Sequence, residues 1–127
     1  MNQKELEIYI HIPFCIKKCS YCDFLSAPAT EQTVESYMAA LFAEIEGKSG
    51  KYRDRRVVSV FIGGGTPSRL TGEQMGQLMA CIRRHFFLDP AAEITTEVNP
   101  GTVSEEKLRT FRKAGINRLS IGMQSAQ

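Results

Sequence analysis

Val57-Val58-Ser59-Val60-Phe61-Ile62 runs into Gly63-Gly64-Gly65-Thr66-Pro67 and then, from Thr71, into a repeat of Met75, Leu78, Met79, Ile82 and Phe86. The first six residues form a nearly continuous apolar run, the signature of a strand covered on both faces. The glycines break that run. Thr71 with Gln74 three residues later makes a capping box, and the apolar residues beyond it recur at helical spacing. The stretch is therefore one βα unit. Cys81 lies inside its helix beside Ile82 and reads as a packed thiol rather than a ligand.

The same alternation extends in both directions. Upstream, Leu6, Ile8, Ile10 and Ile12 share one face of a short strand, with Tyr9 and His11 on the other. Pro13 ends it, and a loop follows to about Ala29. Thr30 is the predicted cap of a helix carrying Val34, Met38, Leu41 and Ile45 on one stripe, with Gly47 as its predicted end. Downstream, Glu93 to Val98 reads as a third strand, followed by Asn99, Pro100 and Gly101. Thr102 with Glu105 offers another capping box, Leu108 and Phe111 an apolar face, and Gly115 a helix end. Arg118 to Met123 then begins a fourth strand. Strand and helix alternate throughout, which is the pattern of an α/β fold with parallel strands and helices outside. The polar and glycine-rich segments all follow strand C-termini, the rim where such folds assemble their sites. A closed barrel needs more units than these. Residues 1–127 are accordingly expected to be the N-terminal part of a longer core domain, the rest of the barrel and any C-terminal domain lying beyond them.

Composition excludes several function classes. The chain has 127 residues, 43% hydrophobic and 24% charged, with a formal net charge of +2. That balance argues against nucleic acid or an anionic membrane as a bulk partner. Lys51, Arg53, Arg55 and Arg56 are the one basic cluster; Asp54 interrupts it, and a solvated turn is the expected reading. No apolar run is long enough to span a bilayer, and Met1 to Glu7 lacks the order of an export signal. A cytoplasmic location is expected, where thiols stay reduced.

Three of the four cysteines crowd into one loop. Cys15, Cys19 and Cys22 stand at offsets of four and three, so three thiolates can converge without extended loop closure. Structural zinc usually takes four ligands, and a second cysteine pair is absent; His11 could complete such a site only across Pro13 and Phe14. Three thiolates suit a cubane iron–sulfur cluster, leaving one iron open to a small molecule. On spacing alone, cluster and zinc remain the competing readings. Glu97 at a strand end and the glycine run read equally well as site or as ordinary surface and turn.

Tyr9-Ile10-His11-Ile12-Pro13-Phe14-Cys15, followed by Cys19, Tyr21 and Cys22, resembles the opening of the radical S-adenosylmethionine (SAM) enzymes. Together with Gly63-Gly64-Gly65-Thr66-Pro67, Glu97 and Gln124 it resembles the group of oxygen-independent coproporphyrinogen III oxidase and its haem-chaperone relatives. The resemblance implies the N-terminal portion of a partial (β/α) TIM-like barrel. It implies a [4Fe–4S] cluster on Cys15, Cys19 and Cys22, with SAM chelating the fourth iron. It also implies SAM contacts from Tyr9, Tyr21, Gly64, Gly65, Thr66, Glu97 and Gln124, with Tyr21 near a second SAM. Expected partners are haem or a porphyrin, an electron donor such as flavodoxin or ferredoxin, and an acceptor haemoprotein. Phe24 stands where the oxidase carries a further cysteine, and Asn99 and Ser125 stand where it has aspartates. These positions resemble the haem chaperones and disfavour porphyrinogen decarboxylation. Two alternatives stay open: the oxidase itself, and a noncatalytic iron–sulfur or zinc module.

Overall fold

A computed structural model describes residues 4–13, 31–65, 67, 70–99 and 103–121. The elements follow in the order β1 (Lys4–Ile12), α1 (Glu31–Ser49), β2 (Arg55–Gly64), α2 (Gly72–His85), β3 (Phe87–Val98), α3 (Glu105–Ala114) and β4 (Arg118–Ile121), with a short 3₁₀ turn at Gly50–Tyr52. The four strands lie side by side in sequence order, and each neighbouring pair is parallel. Strand order never reverses. This is the winding of a barrel wall rather than of a doubly wound open sheet.

Alternation along the strands sends aliphatic residues to the helices. Ile10 and Ile12 of β1, Val60 and Ile62 of β2, and Ala92 and Ile94 of β3 join one buried cluster. Val34, Met38 and Ile45 of α1, Met75, Leu78, Met79 and Ile82 of α2, and Phe111 of α3 belong to it as well. Each large aliphatic side chain sealed here contributes about 1.5–3 kcal/mol relative to exposure. The opposite face of the sheet is not covered by described residues: Tyr9 and Phe61 are exposed on it. The apolar run of β2, expected to be covered on both faces, is thus covered by the described residues on one.

Several boundaries differ from expectation for local reasons. α1 continues through Gly47 to Ser49, because that glycine does not take the left-handed conformation that ends a helix. α2 begins as expected: the Thr71 hydroxyl accepts from Gln74 N at 3.0 Å, and the Gln74 side chain accepts from Thr71 N at 2.9 Å. α3 is capped by Ser104, whose hydroxyl accepts from Lys107 N at 3.0 Å, and not by Thr102, which lies outside the described residues. Gly115 ends it as expected. β2 extends through Gly63 and Gly64, which pair with His11 and Ile12 instead of turning away.

β3 starts six residues before the predicted Glu93. Its first residues pair with Arg56 and Val57, and the register then jumps to Ser59↔Glu93. Within the jump, Asp89 accepts from Ala91 N at 2.7 Å and pairs with the Arg56 guanidinium. Arg56 also reaches Glu5 at 3.3 Å. Arg56 is therefore an ion-paired tie across β1, β2 and β3, not part of a solvated turn. The remaining basic residues do surround the turn, with Lys51 and Arg55 stacked near Tyr52 at 5.9 and 5.7 Å.

Candidate functional site

Tyr9, His11, Phe61, Gly63 and Glu97 occupy the open face of the sheet near the strand C-termini. Register fixes their arrangement: Tyr9 opposes Phe61, His11 opposes Gly63, Phe61 opposes Thr95, and Glu97 opposes Ser120. A close approach forms at Gly63. A methyl group on its Cα would lie 2.7 Å from Glu97 Oε1, 2.9 Å from Phe61 Cε1 and 3.0 Å from Tyr9 Oη. Three side chains from three strands converge where the glycine has none.

Gly64 secures this arrangement through its backbone. It holds φ +120°, in the region that L side chains rarely adopt, and a methyl there would meet Ile12 O at 2.5 Å. Its N–H donates to Glu97 Oε1 at 3.0 Å. A charge-assisted bond of this kind fixes one carboxylate oxygen and leaves the second for a ligand. Gly65 N donates to Ile12 O at 2.8 Å, tying the glycine turn to the last residue of β1.

The aromatic side of the site is ordered by stacking. The Tyr9 and Phe61 rings are nearly parallel, 13° apart with centroids at 5.9 Å. His11 sits beside Tyr9, with Nδ1 3.5 Å from the phenol oxygen. On the outer edge of β1, the Tyr37 hydroxyl of α1 donates to the His11 carbonyl. Burial, and secondarily the Glu44 carboxylate, push the Tyr37 phenol above its usual value, so it remains a neutral donor. The bond joins the end of β1 to α1, the next described helix.

Of the predicted site residues, the structure describes Tyr9, Gly64, Gly65 and Glu97 and brings all four to one corner. Cys15, Cys19, Cys22, Tyr21, Thr66 and Gln124 lie outside the described residues, as do Phe24 and Ser125. Cys81 is remote from this corner: its thiol lies 3.9 Å from the Phe42 carbonyl, and burial pushes its pKa up. It is the packed thiol expected. Phe61 and Tyr37 were not singled out by sequence reasoning. The register of Tyr9 with Phe61 would have pointed to the first; the second carries no sequence signal beyond its place one residue before the buried Met38.

The corner suits a zwitterionic amino-acid ligand. It offers a carboxylate for an ammonium, a phenol hydroxyl, and backbone exposed by glycines, in a cradle that any Cβ would fill. A groove of about 400 Å³ between β1 and α1, lined by Ile8, Tyr37, Leu41 and Tyr52 among others, also runs along β1. It shares Tyr9 and His11 with the corner but lacks Gly63, Gly64 and Glu97. No helix among the described residues is long and apolar enough to cross a membrane.

Comparison with known proteins agrees with this geometry. Residues 9–127 match the family model described as the radical SAM superfamily. The chain is 44% identical over 121 residues to the heme chaperone HemW of Escherichia coli strain K12, covering 94% of this chain and 32% of that protein. It is 42% identical over 120 residues to the heme chaperone HemW of Bacillus subtilis strain 168, covering 92% of this chain and 31% of that protein. Among solved structures, coproporphyrinogen III oxidase (HemN) from Escherichia coli, described as a radical SAM enzyme, superposes with a TM-score of 0.85 and 34% identity. That match covers 98% of this chain and 29% of the oxidase. The chain spans about a third of the length of these relatives.

Proposed function

The chain belongs to the radical SAM superfamily, in its HemW/HemN-like group, and on that premise we propose that it is the N-terminal part of a haem chaperone. Its fold is the α/β partial-barrel type of that group, and it matches the group's N-terminal portion. In this reading residues 1–127 are the first part of a cytoplasmic protein's radical SAM core. Cys15, Cys19 and Cys22 hold a [4Fe–4S] cluster, and Tyr9, Gly64, Gly65, Thr66 and Glu97 bind SAM, joined by Tyr21 and Gln124.

One observation carries the proposal. The Glu97 carboxylate and the Tyr9 hydroxyl converge on the bare Cα of Gly63, with one Glu97 oxygen held by Gly64 N–H. A fixed carboxylate beside exposed backbone recognises the ammonium and carboxylate of an amino acid without moving when the ligand arrives. The bound cluster and SAM together supply one-electron reductive chemistry, with electrons drawn from a flavodoxin- or ferredoxin-type donor. The chain's own residues bind, orient and shield. Glu97 binds the cationic end of SAM, Gly63 and Gly64 permit its approach, and Phe61 holds the Tyr9 ring in place.

Haem as cargo, delivered to an acceptor haemoprotein, follows the relatives' names and the side chains at the deciding positions. Phe24 offers no thiol, and Asn99 and Ser125 offer no carboxylate where the oxidase has them. The test uses the whole protein, reconstituted anaerobically. Haem binding and transfer to an apo-haemoprotein, without turnover of coproporphyrinogen III, is the expected result. Turnover of coproporphyrinogen without haem binding would overturn it in favour of the oxidase.

A further inference from the structure

The N-terminal ends of the strands carry an exposed aromatic residue that has no part in the SAM corner. Among the described residues five large apolar side chains are exposed: Tyr9, Phe61, Phe87, Leu119 and Ile121. Tyr9 and Phe61 belong to the SAM corner. Leu119 and Ile121 lie on β4, which has one described neighbour. Phe87, 50% exposed, starts β3 at the opposite end of the sheet from that corner. β2 runs ten residues from Arg55 to Gly64, so at about 3.3 Å per residue about 30 Å separates this end from the glycines. A groove of about 370 Å³ beside Phe87 is lined by Phe86, Leu88, Pro90 and Arg83 among others.

Cations stand next to it. Lys4 opposes Arg55 across β1 and β2, and Arg56 opposes Phe87 across β2 and β3. Two strand spacings of about 4.8 Å place even Lys4, on the far strand, about 10 Å from Phe87. Lys51 and Arg53 stand on the turn that leads into β2. Arg56 takes up Glu5 and Asp89. Among the described residues no carboxylate pairs with Lys4, Lys51, Arg53 or Arg55. Five cations and three carboxylates (Glu5, Asp54 and Asp89) gather here, an excess equal to the net charge of +2 of the whole chain.

A half-exposed aromatic ring beside unpaired guanidinium and ammonium groups is the composition of a protein-binding hot spot. We propose that this end of the sheet docks an acidic protein surface. Phe87 fills an apolar pocket of the partner, and Lys51, Arg53 and Arg55 face its carboxylates. The carboxylates among the cations repel anionic lipid headgroups, whereas against a protein such mixed charge fixes register. A partner held here leaves the SAM corner, at the other end of the strands, uncovered. Docking is independent of the haem-handling function proposed above.

Phe87→p-benzoylphenylalanine in the whole protein, irradiated in the cells that make it, tests the face. Arg109→p-benzoylphenylalanine, at an exposed position on α3, is the control. The expected result is an adduct with an acidic protein from position 87 and not from position 109. With that partner purified, calorimetry should show binding that weakens as salt is raised. Lys51→Glu combined with Arg55→Glu, and Phe87→Ala alone, should each weaken binding about tenfold or more. SAM binding by these variants should match the parent's, and thermal unfolding checks their fold. Should Phe87→Ala lose its fold, the charge variant alone decides. An adduct with lipid, with another part of the same chain, with a protein that is not acidic, or with nothing would overturn the proposal. So would an acidic partner that binds the variants as tightly as the parent.

Discussion

The two ends of the same strands are built on opposite plans. At the N-terminal ends, side chains satisfy one another: Arg56 pairs with Asp89 and Glu5, and Asn117 bonds Ile94 N at 2.8 Å and the Ala92 carbonyl at 2.9 Å. At the C-terminal ends, side chains are removed where they would fill space. Gly63 and Gly64 clear the surface, and Glu97 has one oxygen fixed by the Gly64 N–H. The lower rim holds the sheet together; the upper rim is held ready for a ligand. Substitutions below should therefore change stability with little effect on SAM binding, and substitutions above should do the reverse.

Gly63→Val should give the largest effect. Its side chain would displace Glu97, Phe61 and Tyr9 together, and SAM binding by the reconstituted protein, measured calorimetrically, should be lost. The fold should survive, because the clash lies on the open face. Phe111→Ala is the counterpart in the core: Phe111 is fully buried, and unfolding in denaturant should show a loss of about 3–5 kcal/mol. Its loss of SAM binding should track unfolding alone.

Glu97→Gln keeps the shape and removes the charge. SAM affinity should fall about tenfold to a hundredfold, with the unfolding midpoint nearly unchanged. Tyr37→Phe removes the bond to the His11 carbonyl and should cost about 1 kcal/mol. A smaller effect is expected at the lower rim. The Ala91 amide and then Arg56 hold the Asp89 carboxyl below its usual 3.8, so its contribution is complete above that pH. It is lost as pH falls through the lowered value. Acid titration of stability should show this limb in the parent and not in Asp89→Asn.

What the sequence made legible follows from the range of each signal. Capping boxes and helix-ending glycines are local, so Thr71 and Gly115 were placed correctly from a few neighbouring residues. Thr102 reads as the cap because Glu105 stands three residues on; Ser104 has Lys107 at that spacing and makes no such box, yet its hydroxyl takes the Lys107 amide. The early start of β3 was hidden by Asp89 and Pro90, residue types depleted in strands, and it emerges only with the Arg56 pairing and the register jump. The site was legible where motif residues carried it, at Tyr9, Gly64, Gly65 and Glu97. Phe61 was not: within an all-apolar run it looks like core, and only its register opposite Tyr9 shows it on the open face.

In the proposed function Cys15, Cys19 and Cys22 hold a cluster with one iron open to SAM. Anaerobic reconstitution of the whole protein with iron and sulfide, followed by electron paramagnetic resonance of the reduced cluster with and without SAM, tests it directly. The expected result is a [4Fe–4S] signal that SAM changes in the parent and leaves unchanged in Gly63→Val. A colourless protein containing one zinc, or a cluster signal indifferent to SAM in the parent, would contradict it.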